Sequence, residues 1–205
     1  MSLSRSDDVR AAERVCELTV LWNVLAGGAA IASAVAVGSL SLAGFGINAA
    51  LDSVASAALV WRFRGEAKDS SRARGLEAIT VGIVGITLIG VAAFIAFRAI
   101  QSLHGHSRPD SSPVSLVIVG LSILVLPPLA RRKLRLAHRL GSRALRGDGV
   151  LTTIGSVLAA LALVGLALNA WLGWWWTDGV AAFVMSAILL REASITLRGS
   201  HAMAP

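Results

Sequence analysis

The stretch Gly44–Phe63, GFGINAALDSVASAALVWRF, decides how this chain is read. Its first eighteen residues carry no charge apart from Asp52. About 20 apolar residues in a helix rising 1.5 Å each suffice to cross roughly 30 Å of hydrocarbon. Yet Asn48 and Asp52 lie one helical turn apart, and Ser56 follows one turn further, so the three form a polar stripe on a single face. An aspartate at the centre of a span costs roughly 2.5–3.5 kcal/mol on insertion scales. Some gain must offset it.

Working outward, the same character repeats. Of 205 residues, 55% are hydrophobic and only 15% charged. A soluble domain of this size breaks its apolar runs sooner, because most of its helices need a polar face. Spans are predicted at Leu18–Val37, Leu40–Val60, Ala78–Ile100, Val114–Leu129, Val150–Leu172 and Trp175–Leu190. The expected fold class is all-α, a polytopic membrane protein of six transmembrane helices. It comprises a cytoplasmic N-terminal segment (1–16), a six-span domain (17–198) and a disordered cytoplasmic tail (199–205). The opening MSLSRSDDVR lacks an apolar core, so no cleavable signal peptide is expected, and the lone Cys16 leaves no intramolecular disulfide.

A net charge of +7 could suggest nucleic acid, but its placement argues for topology instead. All lysines and arginines except Arg98 and Arg108 fall before span one, between spans two and three, after span four or after span six. The positive-inside rule then puts both termini in the cytoplasm of a cell whose inner membrane the chain crosses. These basic segments would touch anionic lipid headgroups, and no nucleic-acid partner is expected. Segment 131–147, RRKLRLAHRLGSRALRG, reads as a basic amphipathic stretch on the membrane surface, with Pro127–Pro128 ending span four before it.

The outer connections Gly38–Ser39 and Gly173–Trp174 are minimal, which makes spans one/two and five/six antiparallel hairpins. Trp171, Trp174, Trp175 and Trp176 cluster at the outer end of the last hairpin, while Trp22 and Trp61 lie toward inner ends; they are read mostly as interfacial anchors, the alternative being a cation–π substrate site. Small residues such as Ala49, Ser53, Gly82, Gly85, Gly155 and Ala159 let helix backbones approach closely.

Asp52 lies nine residues before Trp61, about 13 Å along the helix and near mid-bilayer. No other span carries a carboxylate at that depth, since Asp148 and Asp178 sit at helix ends where water or headgroups reach. An arriving divalent cation would displace a proton from Asp52, which couples metal binding to proton release. The structural alternative pairs Asp52 with Asn23, Thr152 or Thr153 on neighbouring helices. An Asp52 turned toward lipid, or closed in by partners, would speak against a carrier.

GFGINAALD in span two, RALRGDG before span five and WWWTDGVAA at span six, in this order, resemble the cation diffusion facilitator family. The similarity covers about residues 13–198 and is nearest to the branch lacking a cytoplasmic C-terminal domain. The resemblance implies a bundle of spans one, two, four and five, with three and six alongside, and usually a homodimer. It implies a transport site between spans two and five, with Asn48 and Asp52 as the span-two pair. Asn48 stands where the family usually has Asp, Ala26 where it has Glu, and Leu151 and Gly155 at the two span-five ligand positions. Asp148, one turn earlier, and the Thr152 and Thr153 hydroxyls remain.

The candidate metal ligands are therefore Asp52, Asn48 and Asp148, with Asn23, Thr152 and Ser56 as auxiliaries. The cargo is expected to be a divalent cation such as Mn²⁺, Zn²⁺ or Mg²⁺, with no resident cofactor; oxygen-only ligands remove the imidazole preference for zinc and lean toward the harder Mn²⁺ or Mg²⁺. His104, His106 and Asp110 in the outer loop are a further metal-collecting candidate. No catalytic triad, phosphate loop or dinucleotide motif occurs, and an enzyme is not expected. The function reading is a proton-coupled exporter of a divalent cation. The alternatives are a non-transporting scaffold or regulator of the same fold, and a carrier of a monovalent or organic cation.

Overall fold

The computed structural model describes residues 2–65, 89–104 and 113–201. Helices fill nearly all of them: α1 (Ser2–Val37), α2 (Leu40–Gly65), α3 (Ile89–His104), α4 (Pro113–Leu140), α5 (Arg143–Leu172) and α6 (Trp176–His201). Four of these, α1, α2, α4 and α5, are long and apolar enough to cross a membrane. The chain is an all-helical, multi-pass membrane protein. Helix α3 takes up the later part of the expected third span, whose residues 78–88 lie outside the described residues.

The largest helix pairings are α1 with α2 and α4 with α5, then α1 with α4 and α2 with α5. These four helices close into a ring, as the family resemblance implied. Helix α6 packs outside it on α5 and α2. Helix α3 joins through Ile95, near Gly44 of α2, and Leu103, near Gly179 of α6. Three sharp reversals make the arrangement possible. Gly38, Gly141 and Gly173 each hold a positive φ, at 72°, 62° and 65°, in the left-handed region that costs glycine least. Two of them are the short outer connections expected from the sequence.

The third reversal corrects the sequence reading. Segment 131–147 is not a surface stretch of its own. Residues 131–140 complete α4, Gly141–Ser142 turn the chain, and 143–147 open α5, where the Ser142 side chain accepts from Leu145 N–H. Nor do Pro127 and Pro128 end the helix: α4 runs through both. Prolines remove two N–H donors, but inside a membrane bundle neighbouring helices hold such a helix together and no other backbone geometry is cheaper. Leu136 and Leu145, expected at the headgroups, are buried together with Ala12, Val15, Cys16 and Leu59 in an apolar cluster at this end of the bundle.

At the chain ends, residues 6–16 continue α1 without a break. Helix α6 extends through His201, so residues 199–201 of the expected disordered tail are helical, and 202–205 lie outside the described residues. Among the tryptophans, Trp61 and Trp171 are exposed at 70% and 82%, as anchors should be. Trp174 and Trp176 stack with ring centroids 5.6 Å apart. Trp22 departs from the reading: it packs against the main core and its indole Nε1 is buried without a partner.

Close approach of α1 and α2 depends on two glycines. A Cβ added at Gly46 would lie 2.7 Å from Ile31 Cγ1, 3.0 Å from the Gly27 carbonyl oxygen and 3.1 Å from Ile31 N. Two of those atoms are backbone, so the helices would have to separate. Gly28, by contrast, has open space where its Cβ would be. Gly46→Ala is expected to destabilise the protein by about 1–3 kcal/mol, the usual range for overpacking, and Gly28→Ala to be near neutral. Thermal unfolding in detergent measures this, and equal melting temperatures for the two variants would refute the close-packing argument.

Candidate metal centre

Seven polar side chains from four helices meet inside the ring. Helix α1 supplies Cys16 and Asn23, α2 supplies Asp52 and Ser56, α4 supplies Lys133, and α5 supplies Asp148 and Thr152. The four-residue spacings 52/56 and 148/152 put both members of each pair on the face turned to the partner helix. Asp52, Asp148 and Lys133 are all essentially inaccessible, at 2%, 3% and 0% exposure.

Lys133 organises the cluster. Its ammonium donates to Asp148 Oδ2 at 2.6 Å, Ser56 Oγ at 2.8 Å and Thr152 Oγ1 at 2.9 Å. Three N–H donors meet three acceptors, which satisfies the group completely. Asp52 Oδ1 lies 3.9 Å from the same nitrogen. At that separation the gross attraction of unit charges is about 4 kcal/mol for an effective dielectric of about 20.

Each carboxylate has further partners. Asp52 Oδ2 accepts from Asn23 Nδ2 at 2.7 Å, and Thr152 Oγ1 lies 3.1 Å from both Asp52 oxygens. Asp148 Oδ1 accepts from Ser56 Oγ at 2.8 Å, and Cys16 Sγ donates to Asp148 Oδ2 at 3.8 Å. Asp52 thus faces α1, α4 and α5 rather than lipid, and every one of its oxygens has a protein partner. The paired arrangement weighed from the sequence is present, through Asn23 and Thr152; Thr153 instead donates to the Gly149 carbonyl.

Three sequence readings change here. Asp148 is not a solvated helix-end group but one of two buried acids, because α5 starts earlier than expected and sinks it by more than a turn. Asp178 is buried too. It accepts from Ser39 Oγ at 2.7 Å, from Leu40 N–H at 2.8 Å and from Ser41 Oγ, so it caps the start of α2 from α6 and ties the two outer hairpins together. Lys133 is not a headgroup cation, whereas Arg131, Arg132, Arg135 and Arg139 around it are exposed.

Asn48 stands apart from the cluster. It is buried, and its Nδ2 has no hydrogen-bond partner. That nitrogen lies 3.1 Å from the place a Gly155 Cβ would take. Gly155 therefore contributes space rather than a ligand. Of the outer-loop candidate, His106 and Asp110 lie outside the described residues.

Lys133 and Cys16 were the residues that sequence reasoning missed. Cys16, Thr19 and Asn23 follow a three-then-four spacing, so they share a face of α1, and all three are buried. That signal was legible. Lys133 carried none, since it sits in a run of arginines that look alike in sequence.

A family model described as the cation efflux transmembrane domain matches residues 18–201, nearly the whole chain. The chain belongs to the cation efflux family. Cation efflux domains support metal cation transport, and the family consists of transporters rather than enzymes. Transmembrane protein 163 of Xenopus laevis is similar, 27% identical over 155 residues that cover 74% of this chain and 54% of that protein. The chain thus spans about half the length of this curated relative. Among the described residues no group of three or more His, Cys, Asp or Glu side chains is placed to hold a metal ion. This cation efflux bundle has two acids and a lysine instead.

Proposed function

We propose that the protein is a secondary carrier that exports a divalent metal cation across the cytoplasmic membrane in exchange for protons. The observation that carries the reading is the meeting of Asp52 and Asp148, from α2 and α5, at the centre of the α1–α2–α4–α5 ring. Asp52 is the principal ligand and Asp148 its partner. Asn23, Ser56 and Thr152 supply neutral oxygens or orient the carboxylates. Asn48, one turn further out, is an auxiliary ligand on the exit path, since turning its amide over offers a carbonyl oxygen instead of the unpaired nitrogen. A mainly oxygen donor set suits Mn²⁺, Mg²⁺ or Zn²⁺, and the Cys16 thiol beside Asp148 extends the range toward softer ions. The protein works as a homodimer with both termini in the cytoplasm, consistent with its basic inner segments.

A second reading is a bundle that keeps the fold but no longer transports. The satisfied Lys133 ammonium and the fully partnered Asp52 favour it. Metal flux into proteoliposomes decides between them. The carrier reading expects flux of at least one divalent ion from the natural protein and little or none from Asp52→Ala. Equal flux from both would remove Asp52 from the mechanism, and no flux for any tested ion would support the second reading.

A further inference from the structure

We infer that the Lys133 ammonium is a tethered cation that fills the cargo position of the empty carrier, and that a divalent ion and Lys133 exclude each other there. This deepens the carrier reading and rests on it. The ammonium is held entirely by oxygen, from Asp148, Ser56 and Thr152 at 2.6–2.9 Å, with Asp52 at 3.9 Å. Those residues belong to α2 and α5, the two helices that would hold the cargo. The lysine itself comes from α4. It supplies a positive charge to a cage that its own helix does not build.

Charge makes the exclusion strict. Two carboxylates and one ammonium leave the buried cluster with one net negative charge when all are ionised. A divalent ion entering beside the ammonium would make the cluster positive, with no solvent to answer it. With the ammonium withdrawn, the same ion and the two carboxylates sum to zero. Lysine is suited to withdrawal, because its charge rides on a flexible four-carbon stem that can move its head to water while the stem stays in apolar surroundings. The neighbouring turn of α4 already presents Arg131, Arg132 and Arg135 outward at the same end.

The device has a consequence for turnover. After cargo leaves, Lys133 returns to the cage, so the empty bundle does not reorient with two bare acids in its core. Cargo release and lysine return are one exchange.

The test uses the full chain, with Mn²⁺ alone as the binding probe, read by electron paramagnetic resonance of free against bound ion. Lys133→Gln is expected to bind Mn²⁺ at least tenfold tighter than the natural protein, whereas Lys133→Arg, which keeps the charge, gains nothing. In proteoliposomes Lys133→Gln should lower the KM for the ion and also the maximal rate, because nothing drives the ion off. Equal Mn²⁺ affinity in Lys133→Gln and the natural protein, or an equal gain in Lys133→Arg, would overturn the proposal. Should Lys133→Gln not fold, the natural protein gives the answer, since Lys68 is the only other lysine. Mn²⁺ should raise labelling of Lys133 by a water-soluble amine reagent, read by mass spectrometry, and leave Lys68 unchanged; labelling of Lys133 that does not rise overturns it. Absence of flux from the natural protein counts against the carrier reading, while unchanged affinity in a protein that transports counts against the lysine alone.

Discussion

Lys133→Met is expected to be the most destabilising single change in the chain, at about 3–5 kcal/mol, the range for removing one partner of a buried ion pair. Methionine fits the space of the lysine stem, so packing alone predicts a small effect. The cost is electrostatic: Asp52 and Asp148 would remain buried together with their common cation gone, and Ser56 and Thr152 would lose a donor. The double variant Lys133→Met/Asp148→Asn removes one charge of each sign and should recover a large part of the loss. A double-mutant cycle on thermal or denaturant unfolding in detergent reads the coupling directly. Additive effects would show that Lys133 and Asp148 do not sense each other, contrary to their 2.6 Å contact. The same cycle with Asp52→Asn should give a weaker coupling, as its oxygen lies 3.9 Å away.

Asp148→Asn is expected to separate transport from folding. Asn keeps the shape and can still accept from Ser56, while Asp52 remains to balance Lys133. The fold should therefore survive with a modest shift in melting temperature. Metal flux should fall by at least about tenfold to a hundredfold, since even groups one shell removed from a metal typically cost that much when lost. Flux in proteoliposomes and unfolding in detergent, measured on the same preparation, decide the matter. Unimpaired flux would restrict the cargo site to Asp52, and loss of both flux and fold would make Asp148 a structural group only.

How much of this was legible from the chain itself differs by element. The span pattern, the short hairpins at Gly38 and Gly173, and the stripe Asn48–Asp52–Ser56 follow from composition and the 3.6-residue period. The end of span four did not, because Pro127–Pro128 stop helices in water yet lie within α4 here. Once that boundary slipped, so did the placement of the next residues. Along the chain Lys133 looks like a headgroup cation and Asp148 like a solvated helix end, whereas one more turn on each helix carries both into the core. Asp178 failed for a related reason: a carboxylate at a helix start looks solvated until another helix presents Ser39 and Leu40 to it.

Hydropathy and helical periodicity are local, so the sequence by itself determined that the chain is a helical membrane bundle with an acid midway along span two; that this acid faces the bundle and not lipid is shown by its partners on α1, α4 and α5. Which charges share a cage is not local. Lys133 and Asp148 are neighbours of surface-like residues along the chain, and only the closing of α4 and α5 about the Gly141 turn brings them to Asp52. In a medium without water the buried acids had to find a cation, and the tertiary structure alone shows that it is the protein's own.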